Sequence, residues 1–312
     1  MRAFRIAYDG RHYNGFQRQP SVPTVEDAVL DALREQGALG PADAVDTPPN
    51  YAAAGRTDAG VSAIAQTVAF DAPDWLTPRA LNGALPGGVR AWAAADVPEG
   101  FHATHHATRR TYRYYLFAPP VDGADATAEA TAAAADDPTA LPAPAVDDER
   151  VHTALGKLSG RHDFANFTTD ESGTERDVTA TATRSGPFLV LEVSAGGFPR
   201  EFVRRVVTLV RAVGTGDASL AKVDRALDPE PLPGHEGIGP ATPEPLVLWD
   251  VAYEATPEGI DDAVEFDVDD EARESALQVF GERHVSARVD AQVLGAMREG
   301  LESADDSDDS GD

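Results

Sequence analysis

The segment Gly55-Arg56-Thr57-Asp58-Ala59-Gly60 sets a carboxylate in a tight turn, flanked by glycines and small residues that let a substrate come close. An aspartate placed this way can act as a nucleophile or a base. Arg56, two residues earlier, can hold that carboxylate ionised or grip a phosphate. The same pattern also fits a turn in which the aspartate only caps backbone N–H groups, so the segment alone leaves both readings open. His102, His105 and His106 raise the question of a metal, but their spacing on or beside a strand matches no ligand pattern. The chain has no cysteine, which removes disulfides, thiolate ligands and cysteine nucleophiles. No phosphate loop or nucleophile triad is visible.

The turn must be held by the elements around it. Residues 2–8 put Phe4, Ile6 and Tyr8 on one face at period two, which predicts a strand. Asp9-Gly10 and Asn14-Gly15 are turn dipeptides. Thr24-Val25-Glu26-Asp27 resembles a capping box that opens a helix with Val25, Val29 and Leu33 inward, closed by Gly37. A strand is predicted near 64–70, a short helix from Thr77-Pro78, and a strand near 89–94. Residues 110–117 are aromatic and alternating, another strand. Further on, a helix is expected near 149–158 and a strand near 188–194. A helix over 200–213 points Phe202, Val206, Leu209 and Val213 inward, and puts Arg200, Arg204 and Arg211 on one side as a basic cleft wall. Glu201 and Arg205 have the spacing of a surface pair. Residues 246–253 read as a buried strand, followed by two acidic helices near 270–284 and 286–301. Hairpin-type turns rather than regular alternation suggest an α+β fold with largely antiparallel sheet.

Of 312 residues, 42% are hydrophobic, enough for a substantial core, and the net charge is −27. Most of the excess lies in an Ala-, Asp-, Pro- and Thr-rich insert at 118–148, expected to be loosely held, and beyond residue 253. The end, SADDSDDSGD, reads as a solvated tail. The remainder is only mildly acidic, so a polyanionic partner is compatible with it. Lys157 and Lys222 are the only lysines. Many carboxylates with few lysines suit a cytoplasm rich in salt, although codon bias in a GC-rich genome gives a similar composition. The N-terminus reads as a strand rather than a signal peptide. No apolar run of about 18 residues is present, so no membrane span is expected.

Several motifs then follow in a familiar order. YDGRHYNGFQRQP (8–20) is similar to a YDG-x-x-Y-x-GFQ-x-Q opening, TVEDAVLDAL (24–33) to a first helix, and GRTDAGV (55–61) to a catalytic turn. LNGALP (81–86), FHA (101–103), RTYRYYLF (110–117), HDFANF (162–167), FVRR (202–205) and LVLWDV (246–251) complete the series. Together they resemble the A-type transfer-RNA pseudouridine synthases over most of residues 1–253. The resemblance implies two ferredoxin-like α+β halves, 1–105 and 106–253, forming one continuous, mostly antiparallel sheet around a cleft, with 254–312 as an acidic extension. It implies isomerisation of uridine to pseudouridine in the tRNA anticodon arm, at positions 38–40, by a homodimer without metal or other cofactor. Asp58 matches the catalytic aspartate, which acts as nucleophile or assists departure of the base. Arg56 matches an arginine that engages RNA, Tyr112 a tyrosine that packs on the target uracil, Arg204 an arginine that pairs with the carboxylate, and Leu246 an apolar pocket residue. If the aspartate is buried, Arg204 is the expected counterweight to the pKa rise that burial causes. Three positions depart from the pattern: Ser62 replaces a usual histidine, Thr208 a usual glycine, and Pro245 a common glycine. A non-catalytic RNA-binding or chaperone module on the same scaffold is the alternative, as is a hydrolase using Asp58 as base. The first would have lost the carboxylate or the tyrosine, and the second would need a metal cluster or triad.

Overall fold

The computed structural model describes residues 1–41, 45–120, 144–256 and 259–305. Ten strands form one sheet: β1 (Arg2–Tyr8), β2 (Ala52–Ala53), β3 (Ser62–Phe70), β4 (Val89–Asp96), β5 (Arg109–Phe117), β6 (Gly160–Asp163), β7 (Glu175–Ser185), β8 (Phe188–Ala195), β9 (Leu246–Ala252) and β10 (Asp267–Val268). Their order is β10-β4-β1-β3-β9-β5-β8-β7-β6, with β2 paired to β3 off that path. Every strand pair is antiparallel except β3 with β9. That parallel seam joins the two sides of the sheet through only two register pairs, Ser62 with Val247 and Ala63 with Leu248. The buried Arg5 reinforces it: its guanidinium donates to the Ala65 carbonyl from one side and to the Val251 carbonyl from the other.

Among the described residues six helices flank the sheet: α1 (Val25–Glu35), α2 (Pro78–Asn82), α3 (Asp148–Leu158), α4 (Phe202–Thr215), α5 (Leu220–Leu227) and α6 (Asp270–Asp305). In α1 the Thr24 hydroxyl accepts from the Asp27 N–H, and Gly37 follows the helix with φ +74°, as the capping signals predict. Thr77 caps α2 in the same way, with Pro78 at its first position. Two apolar cores result. One gathers Phe4, Ile6, Val29, Leu33, Phe70 and Leu81 under α1 and α2. The other gathers Leu155, Phe164, Leu191, Phe202, Val206 and Leu209 around α3 and α4. The inward residues of α4, Phe202, Val206, Leu209 and Val213, are all at most 2% exposed. Each such burial contributes about 1.5–3 kcal/mol, so this face fixes the helix and the arginines it carries.

The structure corrects three expectations. Residues 270–301 form one continuous helix rather than two. His284, Val285 and Ser286 contain neither proline nor glycine, and nothing there interrupts the backbone ladder. The ends of the 118–148 insert are anchored: Ala118 and Val146 are buried, Pro120 bridges to Val146, and Asp147 caps α3. The loosely held part expected at 121–143 lies outside the described residues, as does the tail from 306. Third, β7 was not anticipated. Its run ERDVTATATRS offers only Val178 and Ala180 as buried apolar residues, so its periodicity is weak, yet it pairs with both β6 and β8. Among the described residues no helix is long and apolar enough to cross a membrane.

Candidate active site

The turn carrying Asp58 lies between β2 and β3 and is braced from several sides. Gly15 has φ +91°, and a Cβ there would sit 2.7 Å from the Thr57 carbonyl oxygen. A Cβ on Gly10 would come within 2.0 Å of the Val61 carbonyl oxygen. The glycines of the 8–20 motif are therefore needed because that segment packs backbone to backbone on the turn. Phe16 N–H donates to the Thr57 carbonyl and Gly60 N–H to the Tyr13 carbonyl. The buried Tyr8 hydroxyl lies 2.8 Å from Thr57 Oγ1. Gly60, with φ +83°, lets the chain turn beneath Pro243, and Val61 N–H closes the turn on the Asp58 carbonyl at 3.1 Å.

A cavity of about 890 Å³ opens over this turn, and Arg56, Asp58, Tyr112, Arg204 and Leu246 all line it. Arg204 Nη1 donates to Asp58 Oδ2 at 3.1 Å, a charge-assisted bond joining α4 to the turn. The Arg204 side chain is held from behind. Its Nε donates to the Ala241 carbonyl at 2.6 Å, and its own carbonyl accepts from Ala241 N–H. Glu201 Oε1 lies 3.7 Å from Arg204 Nη1, and Glu201 Oε2 accepts from Arg205 at 2.7 Å. Glu201 begins the helix in a left-handed conformation, φ +59°, which for a residue with a side chain is strained. The expected Glu201–Arg205 pair is present, but it is largely buried rather than on the surface.

Asp58 is more open than the sequence suggested. Its side chain is 40% exposed, facing the cavity, whereas that of Arg204 is 13% exposed. Arg56 is exposed and makes no hydrogen bond or ion pair with any described residue, so the Asp58 partner is Arg204 alone. Arg200 also lines the cavity, exposed and with no side-chain hydrogen bond or ion pair to any described residue, whereas Arg211, expected on the same wall, is exposed but does not line it. Tyr112 stands on β5 with its ring edge-to-face against Phe198 at 5.4 Å. Phe198 stacks on Phe202, which meets Phe164, which meets Phe167. The HDFANF segment is thus the floor of an aromatic column that ends in Tyr112. Burial, with a smaller contribution from the Asp58 charge, pushes the Tyr112 phenol up to about 12 against the opposing pull of Arg110, so the ring is neutral. Leu246 is buried at the start of β9.

The sequence reading missed Arg110. It is buried beside Tyr112 and has no carboxylate partner among the described residues. Its guanidinium donates to the Ala54 carbonyl twice, to Thr104 and to Gly196. It thereby ties the entry to the Asp58 turn to the segment before Phe198. The only sequence signal is an arginine in an otherwise aromatic strand. The departures are accommodated. Ser62 Oγ accepts from Gly10 N–H, Thr208 donates to the Arg204 carbonyl one turn back, and the Pro245 carbonyl accepts from Tyr115 N–H. His102 and His105 line the cavity with ring centroids 4.1 Å apart, and burial followed by the neighbouring histidines lowers the His102 pKa. Among the described residues no group of three or more side chains could hold a metal.

A model of the tRNA pseudouridine synthase family matches residues 154–254. The tRNA pseudouridine synthase A of Natronomonas pharaonis is 52% identical over 297 residues, covering 95% of this chain and 98% of that protein. That of Haloarcula marismortui is also 52% identical, covering 96% and 100%. The enzyme of the same name from Methanocella arvoryzae is 33% identical, covering 95% and 99%. With the turn, the cleft and the full length of these relatives matched, the chain belongs to the tRNA pseudouridine synthase family.

Proposed function

We propose that this chain isomerises uridine to pseudouridine in the anticodon stem-loop of tRNA, at positions 38–40, with Asp58 as its catalytic carboxylate. The observation that carries the reading is the Asp58–Arg204 pair, at 3.1 Å, in a cavity shared with Tyr112 and Leu246. A stacked base cannot reach a carboxylate at the floor of a cleft, so the target nucleotide must swing out. Extrusion costs a few kcal/mol, and stacking on an aromatic face such as Tyr112 returns about 1–3 kcal/mol. Arg56 and Arg200, exposed at the same cavity and without a side-chain partner among the described residues, are placed to take phosphates of the displaced strand.

In the reaction the N1–C1′ bond breaks with help from the Asp58 carboxylate. The uracil turns within the site and C5 bonds to C1′. The C5 proton leaves and N1 takes one up. No electrons are gained or lost, so no redox group is required. Arg204 orients the Asp58 carboxylate, and Leu246 gives the base an apolar wall. The halves 1–105 and 106–253 are read as the two walls of the cleft. A homodimer, with RNA spanning both subunits, and a cytoplasmic setting rich in salt complete the proposal. The acidic composition and the relatives from Natronomonas and Haloarcula support that setting.

The test incubates the protein with unmodified tRNA in molar salt with a chelator and maps pseudouridine by carbodiimide-dependent reverse-transcription stops. New stops at positions 38–40 are expected. RNA binding without any new stop overturns the reading in favour of a binding module.

A further inference from the structure

Part of the cavity wall is the loop between β4 and β5, and its hydrogen bonds hold two imidazoles in place. The His102 N–H donates to His106 Nδ1 at 3.1 Å, and the His106 N–H donates back to the His102 carbonyl. The Thr104 N–H donates to His102 Nδ1 at 3.2 Å. The Thr104 hydroxyl donates to the Ala53 carbonyl, and Arg110 donates to the Thr104 carbonyl at 2.8 Å, so the loop is fastened to both β2 and β5. On this support His105 lies ring against ring with His102, centroids 4.1 Å apart and planes 35° apart. Both line the cavity, His102 half-buried and His105 exposed. His105 makes this ring contact but no hydrogen bond or ion pair with any described residue. An imidazole that bonds nothing, on a braced support inside a cleft, presents its ring to whatever enters.

We propose that the His102–His105 pair is a second nucleobase subsite, which stacks an unpaired base of the tRNA next to the uridine that swings out to Tyr112. Two observations favour a base over a phosphate. First, the inner member of the pair is an uncharged flat ring. His102 Nδ1 accepts a hydrogen bond, which the imidazolium cannot do, and burial followed by the neighbouring histidines lowers its pKa in the same sense. Second, the guanidinium attached to this loop is not free for a phosphate. Arg110 is bonded to backbone carbonyls through all three of its nitrogens. The exposed arginines of the cavity lie on other segments, Arg56 in the Asp58 turn and Arg200 before α4. The reaction supplies the need for such a face. Extruding one nucleotide leaves its neighbours without a stacking partner, and Tyr112 serves the base that has left. Histidine is among the side chains on which unpaired RNA bases stack, and the contact tolerates any base because each has a π face.

The inference rests on tRNA being the substrate, and the test separates the two. Wild type, His105→Ala and His105→Phe in the full chain are titrated with unmodified tRNA at several salt concentrations. The buffer is at about pH 8, above the ordinary range of histidine. Pseudouridine formation by wild type is measured alongside. His105→Ala should bind about 5-fold or more weakly, the loss of one stacked base. The slope of log K against log salt should not change, because stacking releases no counterions. His105→Phe should restore the affinity, since it keeps a flat face without the ring nitrogens. Thermal melts of both variants should match wild type, because His105 is exposed and touches only the His102 ring. If wild type forms no pseudouridine and the three affinities still follow this order, the subsite stands and the catalytic reading alone falls. If wild type forms pseudouridine and alanine leaves the affinity unchanged, the subsite alone falls. A loss accompanied by a shallower salt slope would be a phosphate contact and overturns it, as does a loss that phenylalanine does not restore. Failure of wild type to bind tRNA overturns both.

Discussion

Replacing Arg110 by methionine removes a guanidinium that serves three carbonyls, those of Ala54, Thr104 and Gly196. Methionine fills a similar length without a donor. Each carbonyl left without its partner costs about 1 kcal/mol, and more where water cannot reach it. The burial penalty of the charge itself is recovered. The expected net loss is therefore about 2–4 kcal/mol, or a melting point lower by roughly 5–10 °C for a domain of this size. The larger consequence is geometric. Ala54 enters the turn that ends at Asp58, and Gly196 precedes Phe198, against which Tyr112 rests. Loosening both sides of the cleft together should shift the carboxylate relative to the base, and a displacement of about 1 Å can slow the chemistry about 100-fold. Arg110→Lys, with one compact ammonium, should fall between the two. The assays are a thermal melt at fixed salt and single-turnover pseudouridine formation. A melting point and a rate both equal to wild type would refute the assignment of Arg110 as the brace between turn and aromatic column.

Three further outcomes are expected. Arg56→Ala and Arg200→Ala should each weaken tRNA binding for all sequences and reduce the slope of log K against log salt by about 0.7–0.9. Binding titrations at several salt concentrations read this directly, and an unchanged slope removes that arginine from the phosphate contacts. Tyr112→Phe should keep most of the activity, because the phenol is neutral and the ring face is what stacks, whereas Tyr112→Ala should lose about 1–3 kcal/mol of stacking. Comparable losses in the two variants would show that the hydroxyl, not the face, is used. For Asp9, burial favours the neutral acid, but hydrogen bonds from Arg11 and Arg283 outweigh it and hold the carboxyl well below its ordinary range. A depressed folded value means stability that is present above the unfolded pKa of about 3.9 and is lost as pH falls through the folded one. Asp9→Asn should thus destabilise fully at neutral pH and progressively less below pH about 4. A difference in denaturant midpoint that does not change with pH would contradict it.

Much of the site could be read along the chain because its parts are local. The glycines around Asp58 are adjacent in sequence, and the inward face of α4 follows from Phe202, Val206, Leu209 and Val213. What escaped was set by partners distant in sequence. Arg110 reads as one charge in an aromatic strand until the carbonyls of Ala54 and Gly196 are brought around it. Arg204 was legible as a partner for Asp58 only through the family motif, and its support from Ala241 has no local signal. The small residues of β7 hide a strand whose stability comes from pairing on both edges. The unity of α6 was obscured by a pattern that changes midway, from a face packed on the body to one exposed to solvent.

The measurement that bears hardest on the role of Asp58 compares wild type with Asp58→Asn in single turnover on unmodified tRNA, with RNA affinity measured for both. Asparagine keeps the shape and an oxygen for Arg204, so it removes the charge alone. Pseudouridine formation should be abolished while tRNA is bound within a few-fold of wild-type affinity. Turnover by Asp58→Asn at a rate near that of wild type would mean that the reacting carboxylate lies elsewhere.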